Sequence, residues 1–345
     1  MLRRVNGGED GVFGKVCIYG VGAIGGWMGA GLATLGDVEV SAVARGGTLE
    51  ALRAHGLRLR RAPDGAAVHE TACPIRASDD PARLGPQDLV IVAVKAPAMA
   101  EVAGRIAPLL APHTVVLTAM NGVPWWFLQG FGGALAGTAL SSVDPDGRIA
   151  RAIAARHVVG CVVHASCSVD ALGVIRHRFG NGLIVGEPSG EATGRVQALH
   201  ALLRRAGFEA TLSPRIQKDI WYKLWGNMTL NPICAFTGAT SMPVLEDPLV
   251  RDFVTRVMLE AREIGARIGV PIAELPEDRH QVTRRLGDFK PSMLQDVLAG
   301  RAVELDALVA SVRELGQLTG VPTPFTDALL GLARLHARVH GLYPA

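Results

Sequence analysis

The hydrophobic residues in the first third of the chain fall into short continuous runs separated by glycine or by polar residues. Runs at 15–20 and 38–43 flank a helical segment rich in small residues, and runs at 88–96 and 114–121 are apolar throughout with polar ends. Uninterrupted apolar runs of this kind are typical of central parallel strands. Because helical segments separate them, the pattern predicts a parallel sheet with crossover helices. The helices are predicted at about 48–55 and 97–110.

Residues 137–190 show a different pattern, in which β-rich runs are separated by glycine-containing turns. We expect an antiparallel addition to the same sheet. The runs lie at 139–143, 157–164, 173–177 and 182–187. A hairpin at 56–60 and 67–74, a helix at about 193–205 and a strand at 208–212 complete this predicted α/β domain.

Beyond Pro214 the chain has almost no strand pattern and instead shows long helical stretches, predicted at 249–268, 291–299 and 302–319. A change from mixed α/β to purely helical patterning marks a domain boundary, which we place at Ser213–Pro214. The prediction is a flexible leader at 1–14, an α/β domain at 15–213 and an all-α domain at 214–345. The length of 345 residues agrees with two domains.

A glycine motif joins the first strand to the first helix. It matches G-x-G-x-x-G and consists of Gly20, Val21, Gly22, Ala23, Ile24 and Gly25. In this context the glycines allow a tight turn, close approach of a pyrophosphate and close packing of helix on strand. The motif therefore predicts a Rossmann-type, doubly wound dinucleotide-binding domain, although a purely structural glycine turn is the alternative.

The residue after the second strand bears on which dinucleotide binds. An NAD site usually carries Asp or Glu there, to accept bonds from the ribose hydroxyls. This chain has Arg45 instead. A guanidinium can hold a 2′-phosphate through paired charge-assisted bonds, so the sequence favours NADPH/NADP over NAD. The alternative is a solvated loop arginine.

Two further polar residues close predicted central strands. Lys95 ends one of these runs and Asn121 ends the next. The carboxyl ends of parallel strands face the ligand crevice in open α/β sheets, so both side chains are candidates for the cofactor site. Taken singly, Lys95 could be only a solubilising residue at a strand end, and Asn121 with Gly122 could be only a turn.

The segment 221–231 carries the most specific polar pattern in the chain. Lys223, Asn227 and Asn231 follow one another at intervals of four residues among Trp, Leu and Met. On a helix this spacing places all three on one face. An amphipathic helix with one wet stripe would explain the pattern, but an ammonium beside amides in an apolar wall is also a plausible proton donor. Its position just past the domain boundary favours the proton donor, in a cleft between domains.

Composition and charge exclude several other classes. The net charge of +3 is weak and no aromatic-interleaved basic patch occurs, so we expect no nucleic acid partner. No apolar run reaches the length of about 18 residues that a membrane span needs, and no signal peptide is recognised, so a cytoplasmic location is predicted. The five cysteines include no CxxC, and only Cys161-Val-Val-His164-Ala-Ser-Cys167 groups possible ligands. On a strand His164 would face away from both thiols, so we expect free cysteines and no metal site.

At this point the chain resembles the ketopantoate reductases (2-dehydropantoate 2-reductases), from Lys15 to about residue 335. The resemblance implies an all-α C-terminal domain like that of 6-phosphogluconate dehydrogenase, and NADPH-dependent reduction of ketopantoate to pantoate. It rests on G-x-G-x-x-G at 20–25, Arg45, Lys95, Asn121-Gly122, Lys223-x3-Asn227-x3-Asn231-Pro232, and Ser292-Met-Leu-Gln-Asp296 with Glu304 beyond it.

The resemblance also implies roles for individual residues. Lys223 would be the general acid, and Glu304 a catalytic residue that acts as a partner of the substrate hydroxyl or as an orienting base. The implied substrate contacts are Asn121, Asn227, Asn231 and Ser292. The implied cofactor contacts are the glycine motif, Arg45, Lys95, Asn121 and Glu304. Without the resemblance, Ser292 would be taken for a helix N-cap, Glu304 for a surface salt bridge, and Met293–Asp296 for structural residues.

One departure from the family pattern concerns the substrate. Trp125, Trp126 and Phe127 follow Asn121-Gly122, and they either reshape the pocket or anchor a loop by packing. Another branched or aromatic 2-oxo acid is therefore an alternative substrate. A β-hydroxyacid dehydrogenase and a non-catalytic NADP(H)-binding regulator are further alternatives, and the helical domain could also form a homodimer.

Overall fold

A computed structural model describes residues 13–61 and 68–344. By their internal contacts, these residues separate into two compact units. The first unit takes the described residues within Met1–Val94, Ala98–Met120 and Arg151–Ile216, and the second takes those within Lys95–Pro97, Asn121–Ala150 and Gln217–Ala345.

The units differ from the predicted division in two respects, the first being that the last boundary lies at Ile216–Gln217 and not at Ser213–Pro214. Residues 95–97 and 121–150, which the sequence assigns to the first domain, make most of their contacts with the helical residues. Two of the strand-end residues expected at the cofactor site, Lys95 and Asn121, therefore belong to the helical unit. The predicted leader lies outside the described residues except for its last two positions.

The first unit is built on a single sheet. Its described strands are β1 Lys15–Tyr19, β2 Glu39–Val43, β3 Leu57–Arg61, β4 His69–Cys73, β5 Arg76–Ser78, β6 Leu89–Val92, β7 Val115–Thr118, β8 Val158–Ala171, β9 Val174–Gly186 and β10 Glu209–Leu212. Their order is β4-β3-β9-β8-β7-β6-β1-β2-β5, with β10 beside β9. The run β5-β2-β1-β6-β7-β8 is parallel throughout.

The antiparallel parts of the sheet lie where the sequence predicts them. β3 and β4 form the expected hairpin, and β8 pairs with β9 in the expected extension. The strand predicted at 139–143 is wrong, because these residues form a turn. The carboxylate of Glu314 accepts bonds from the backbone N–H groups of Ser141 and Ser142 at 2.7 and 2.8 Å, and these groups are thus unavailable to a strand ladder.

Small residues in the first helix set the packing of this unit. The helix, α1 (Ala23–Ala33), is buried along most of its length against the sheet. A Cβ atom added to Gly29 would lie 2.9 Å from Ile18 Cγ1, closer than packing allows. The helix therefore rests directly on the strands, which holds its N-terminus at the carboxyl end of β1.

The remaining helices include the long ones of the second unit. They are α2 Gly46–His55, α3 Met99–Arg105, α4 Arg148–Ala152, α5 Gly194–Arg205, α6 Ile216–Thr237, α7 Ser241–Glu246, α8 Pro248–Arg267, α9 Pro276–Arg285, α10 Ser292–Leu298, α11 Ser311–Thr319 and α12 Pro324–Val339, with 3-10 turns at Pro81–Arg83, Ala96–Ala98, Ala107–Leu109, Gly133–Leu135 and Ala155–His157. Within 13–61 and 68–344, no helix combines the length and apolarity needed to cross a membrane.

The three helical stretches named for this unit are helical over most of their length. α8 and α10 occupy the segments expected at 249–268 and 291–299. The stretch expected at 302–319 is helical from residue 305 onward, and its first part is a π-helix at Asp306–Ala310 that leads directly into α11. Such π-helical turns are rare and occur frequently at functional sites.

Candidate active site

The glycine turn after β1 has the geometry that a bound pyrophosphate requires. Gly20 has a φ of +98°, and a Cβ atom there would lie 2.6 Å from Val94 Cγ1. A Cβ atom on Gly25 would overlap the carbonyl oxygen of Gly20, so the turn closes tightly. At Gly22, which caps α1, a Cβ atom would meet nothing within 4 Å. The backbone is therefore open to a phosphate at the positive end of α1, and the residues present fit a dinucleotide.

A cleft of about 220 Å³ adjoins this turn and carries several charged side chains. Its lining includes Arg45 and Arg105, which are cationic, and Glu101 and Asp79, which are anionic. The remaining lining residues are Tyr19, Gly20, Val21, Val43, Ala44, Thr48, Val94, Ala98 and Val102. Arg45 thus lies where the sequence predicts it, at the end of β2 and beside the glycine turn.

Arg45 has an ion-pair partner that the sequence did not indicate. Its Nη1 atom lies 2.8 Å from each carboxylate oxygen of Glu101, and the two side chains are 74% and 43% exposed. Arg105 approaches the same carboxylate at 3.8 Å and donates to the carbonyl oxygen of Asp79 at 2.6 Å. A ligand phosphate would therefore compete with Glu101 for Arg45, and Arg105 is a second cation within reach of the cleft.

Lys95 lies in a compact ionic cluster of the helical unit. Its Nζ donates to Asp296 Oδ2 at 2.8 Å and to Glu304 Oε2 at 3.1 Å. The other oxygen of Glu304 accepts from the backbone N–H of Ala96 at 2.9 Å, and Arg301 donates to Asp296 Oδ1 at 3.0 Å. Burial lowers the pKa of Lys95, but the charges of Glu304 and Asp296 outweigh it and hold that pKa above its ordinary value. The ammonium therefore stays charged.

The cluster revises two interpretations of the sequence. Glu304 makes a salt bridge, but a buried one, since its side chain is only 4% exposed. Asp296, taken for a structural residue, is an equal partner of Lys95. Nothing local could have found it, because the two residues lie 201 positions apart.

The π-helix holds the segment that follows Asn121. Val123 donates its N–H to the carbonyl oxygen of Ala307 at 2.8 Å. Gly122 has a φ of +83°, and a Cβ atom there would lie 2.5 Å from that same oxygen. Glu304 and Asn121 are thus carried on two segments that are fixed to each other.

Helix α6 presents the three polar residues that the sequence singled out. Lys223 and Asn227 are half-buried, while Trp221, Leu224, Trp225 and Met228 are fully buried. Asn231 is 3% exposed, and its Oδ1 accepts from Ser292 Oγ and from the N–H of Met293, both at 3.2 Å. The amide therefore caps the start of α10 and orients the Ser292 hydroxyl.

The aromatic loop packs into the helical unit. Trp125, Trp126 and Phe127 are 6%, 1% and 0% exposed. The ring of Phe127 lies 6.1 Å from that of Trp221. This burial favours an anchoring role for the loop over a direct role in a pocket.

The cysteine cluster follows the face predicted for a strand. Cys161 belongs to the core of the first unit and Cys167 packs against it, while His164 is exposed. All five cysteines are free thiols, and burial raises the pKa of Cys167 to about 12.

An open phosphate site at a helix start, beside a cleft lined by two arginines and two carboxylates, is typical of a dinucleotide-binding domain. The sequence profile of ketopantoate reductase PanE/ApbA matches residues 16–190, and that of its C-terminal domain matches residues 215–337. The chain therefore belongs to the ketopantoate reductase family, and it is an oxidoreductase.

Individual relatives agree with this assignment over nearly the whole chain. A 2-dehydropantoate 2-reductase from Mesorhizobium japonicum is 45% identical over 329 residues, which are 95% of this chain and 99% of that protein. A solved structure from Ralstonia solanacearum MolK2, described as a candidate ketopantoate reductase, has a TM-score of 0.91 at 55% identity and covers 96% of this chain and 100% of its own. The solved structure of 2-dehydropantoate 2-reductase from Methylococcus capsulatus has a TM-score of 0.79 at 25% identity. It covers 94% of this chain and 97% of its own.

Proposed function

We propose that this protein reduces 2-dehydropantoate (ketopantoate) to pantoate with NADPH, for pantothenate and coenzyme A synthesis. The observation that carries the proposal is the sequence identity of 45% to a 2-dehydropantoate 2-reductase over nearly the full length of both chains. The polar face of α6 supports the same reaction, because reduction of a ketone requires a proton donor beside its oxygen.

In this reaction NADPH, when bound, supplies the hydride to the carbonyl carbon. Lys223 donates a proton to the carbonyl oxygen, where negative charge would otherwise build up. Asn121, Asn227 and Ser292 donate or accept hydrogen bonds that hold the substrate. Asn231 acts through Ser292, whose hydroxyl it orients.

Glu304 and Lys95 act as a pair. Both carboxylate oxygens of Glu304 are occupied by Lys95 Nζ and the Ala96 N–H. A carboxylate held in this way is an orienting group, which fixes the ammonium of Lys95 and can accept a bond from a substrate or cofactor hydroxyl. Family resemblance supports contact of both residues with the cofactor.

The preference for NADPH over NADH rests on Arg45, with Arg105 as a second cation in the cleft. Replacement of Arg45 by alanine should narrow the ratio of the NADH and NADPH dissociation constants by about tenfold, the lower end of a charge-assisted hydrogen bond. Fluorescence titration of both cofactors measures the ratio directly. An unchanged ratio would remove Arg45 from the phosphate site.

Steady-state turnover over a panel of 2-oxo acids, each with NADPH and with NADH, tests the proposed function. We expect the highest kcat/KM for ketopantoate with NADPH. Equal or better turnover of a smaller or an aromatic 2-oxo acid would transfer the proposal to that substrate. A cytoplasmic location and a homodimer remain predictions.

A further inference from the structure

An arginine of the helical unit lacks an anionic partner. Arg279 lies on α9, and its Nε is buried without a hydrogen-bond acceptor. Within the described ranges its side chain forms no ion pair, unlike that of Arg284 on the same helix, which pairs with Glu277 at 2.8 Å. Burial lowers the pKa of Arg279, with only Tyr222 acting against it.

The guanidinium rests directly on helix α6. Its Cζ lies 5.7 Å from the ring centroid of Tyr222. A Cβ atom added to Gly226 would lie 2.6 Å from Nε and 2.8 Å from Nη2, so any larger residue there would force the guanidinium to move. Tyr222 and Gly226 are four residues apart and form one stripe of α6.

This stripe borders the face that carries the proton donor. Lys223 follows Tyr222 in the chain and precedes Gly226 by three residues, which makes Lys223 and Gly226 neighbours on the helix surface. Asn227 and Asn231 lie on the other side of Lys223. Around α6, the guanidinium, the ammonium and the amides therefore follow one another in that order.

A half-buried cation without a countercharge is costly, and it gains most from an anion that arrives with the ligand. A 2-oxo acid carries its carboxylate on the atom next to the ketone carbon. We propose that Arg279 binds the carboxylate of the substrate while Lys223 serves the adjacent ketone oxygen. The inference rests on the proposed function, in that it takes the substrate to be a 2-oxo acid. Guanidinium suits this task because it binds carboxylates in a bidentate manner.

The test compares a 2-oxo acid with its neutral primary amide, in the wild type and in Arg279→Met. A carboxylate contact predicts that KM for the acid rises by about 10- to 100-fold while KM for the amide changes little, so that preference for the acid collapses. Arg285→Met, an exposed position on the same helix, is the matched control and should leave both values unchanged. If KM rises equally for the acid and the amide, Arg279 only supports α6 through Tyr222 and the inference is wrong.

A second variant keeps the cation and moves it. Gly226→Ala should displace the guanidinium, and it should therefore also raise KM for the acid more than KM for the amide. Melting temperature and NADPH affinity report whether either variant is folded. Calorimetric titration of the 2-oxo acid into the NADP-bound protein gives the same contrast without turnover. Absence of turnover of every 2-oxo acid would therefore contradict the proposed function, whereas equal acid affinity in wild type and Arg279→Met would contradict this inference alone.

Discussion

Two ion pairs with nearly the same contact distance lie in very different surroundings. Arg45 and Glu101 meet at 2.8 Å in a cleft, where their side chains are 74% and 43% exposed. Lys95 and Asp296 also meet at 2.8 Å, but the carboxylates of Asp296 and Glu304 are each only 4% exposed. Distance alone therefore says little about what an ion pair contributes.

The surroundings decide which pair can be exchanged. Exposed pairs are screened by water and contribute about 0–1 kcal/mol, so a ligand phosphate can displace Glu101 from Arg45 at little cost. Loss of one partner of a buried pair leaves a desolvated charge, which costs about 3–5 kcal/mol. This difference agrees with the roles proposed above, in which the first site binds and releases a cofactor and the second holds side chains in fixed positions.

The largest expected effect comes from removal of the shared cation in the buried cluster. Lys95→Met leaves two buried carboxylates without their ammonium and should lower the free energy of unfolding by about 3 kcal/mol, since the lysine itself is half-exposed. Urea denaturation at neutral pH measures the loss. Arg45→Met is the control and should cost less than about 1 kcal/mol. An equal loss of unfolding free energy in the two variants would show that the buried and the exposed ion pair contribute alike.

The pH dependence of that cluster follows from the same charge. Because the folded pKa of Lys95 is raised above 10.5, its stabilising contribution is fully present below that value. It should disappear only as the pH rises through the raised pKa. A gap in stability between wild type and Lys95→Met that closes at neutral pH would contradict this.

Glu314 represents an intermediate case, half-buried and bonded to neutral groups. Burial raises its pKa, but hydrogen bonds from Ser142 and Ser141 outweigh this and lower the pKa below its ordinary value of 4.5. Glu314→Gln should cost about 2 kcal/mol at neutral pH. The contribution is present above pH 4.5 and is lost as the pH falls through the lowered pKa. Urea denaturation of both proteins from pH 3 to 7 measures the difference in their free energies of unfolding, which should vanish only in acid. A difference independent of pH would exclude the carboxylate as its cause.

The smallest effect is expected at the exposed pair. Glu101→Gln frees Arg45 from its competitor and should tighten NADPH binding by no more than about fivefold, the limit set by an exposed ion pair. NADH, which lacks the 2′-phosphate, should bind no more tightly. Titration of both cofactors distinguishes the outcomes, and weaker NADPH binding would show that Glu101 supports the site instead.

The same contrast explains which features could be predicted from the sequence. Local patterns identified the glycine turn, the parallel strands and the polar face of α6, because each depends on neighbours within a few residues. The partners of these residues could not be found in this way. Asp296 reaches Lys95 over 201 positions and Glu101 reaches Arg45 over 56, and no short-range pattern encodes such pairs.

Two differences between the predicted and the observed elements have related physical causes. A strand is predicted at 139–143, but Glu314, far along the chain, binds the backbone N–H groups of Ser141 and Ser142 in a turn. The π-helix that interrupts the stretch at 302–319 turns the carbonyl oxygen of Ala307 toward Val123. In both cases a distant segment overrides local preference.

Single-turnover reduction of ketopantoate by Lys223→Ala tests the central claim, that Lys223 donates the proton to a 2-oxo acid. NADPH binding to the same variant, followed by fluorescence, serves as the control. We expect the rate of hydride transfer to fall by at least about 10²-fold, the usual share of general acid catalysis, with the NADPH dissociation constant unchanged. A rate within a few-fold of the wild type would contradict the account.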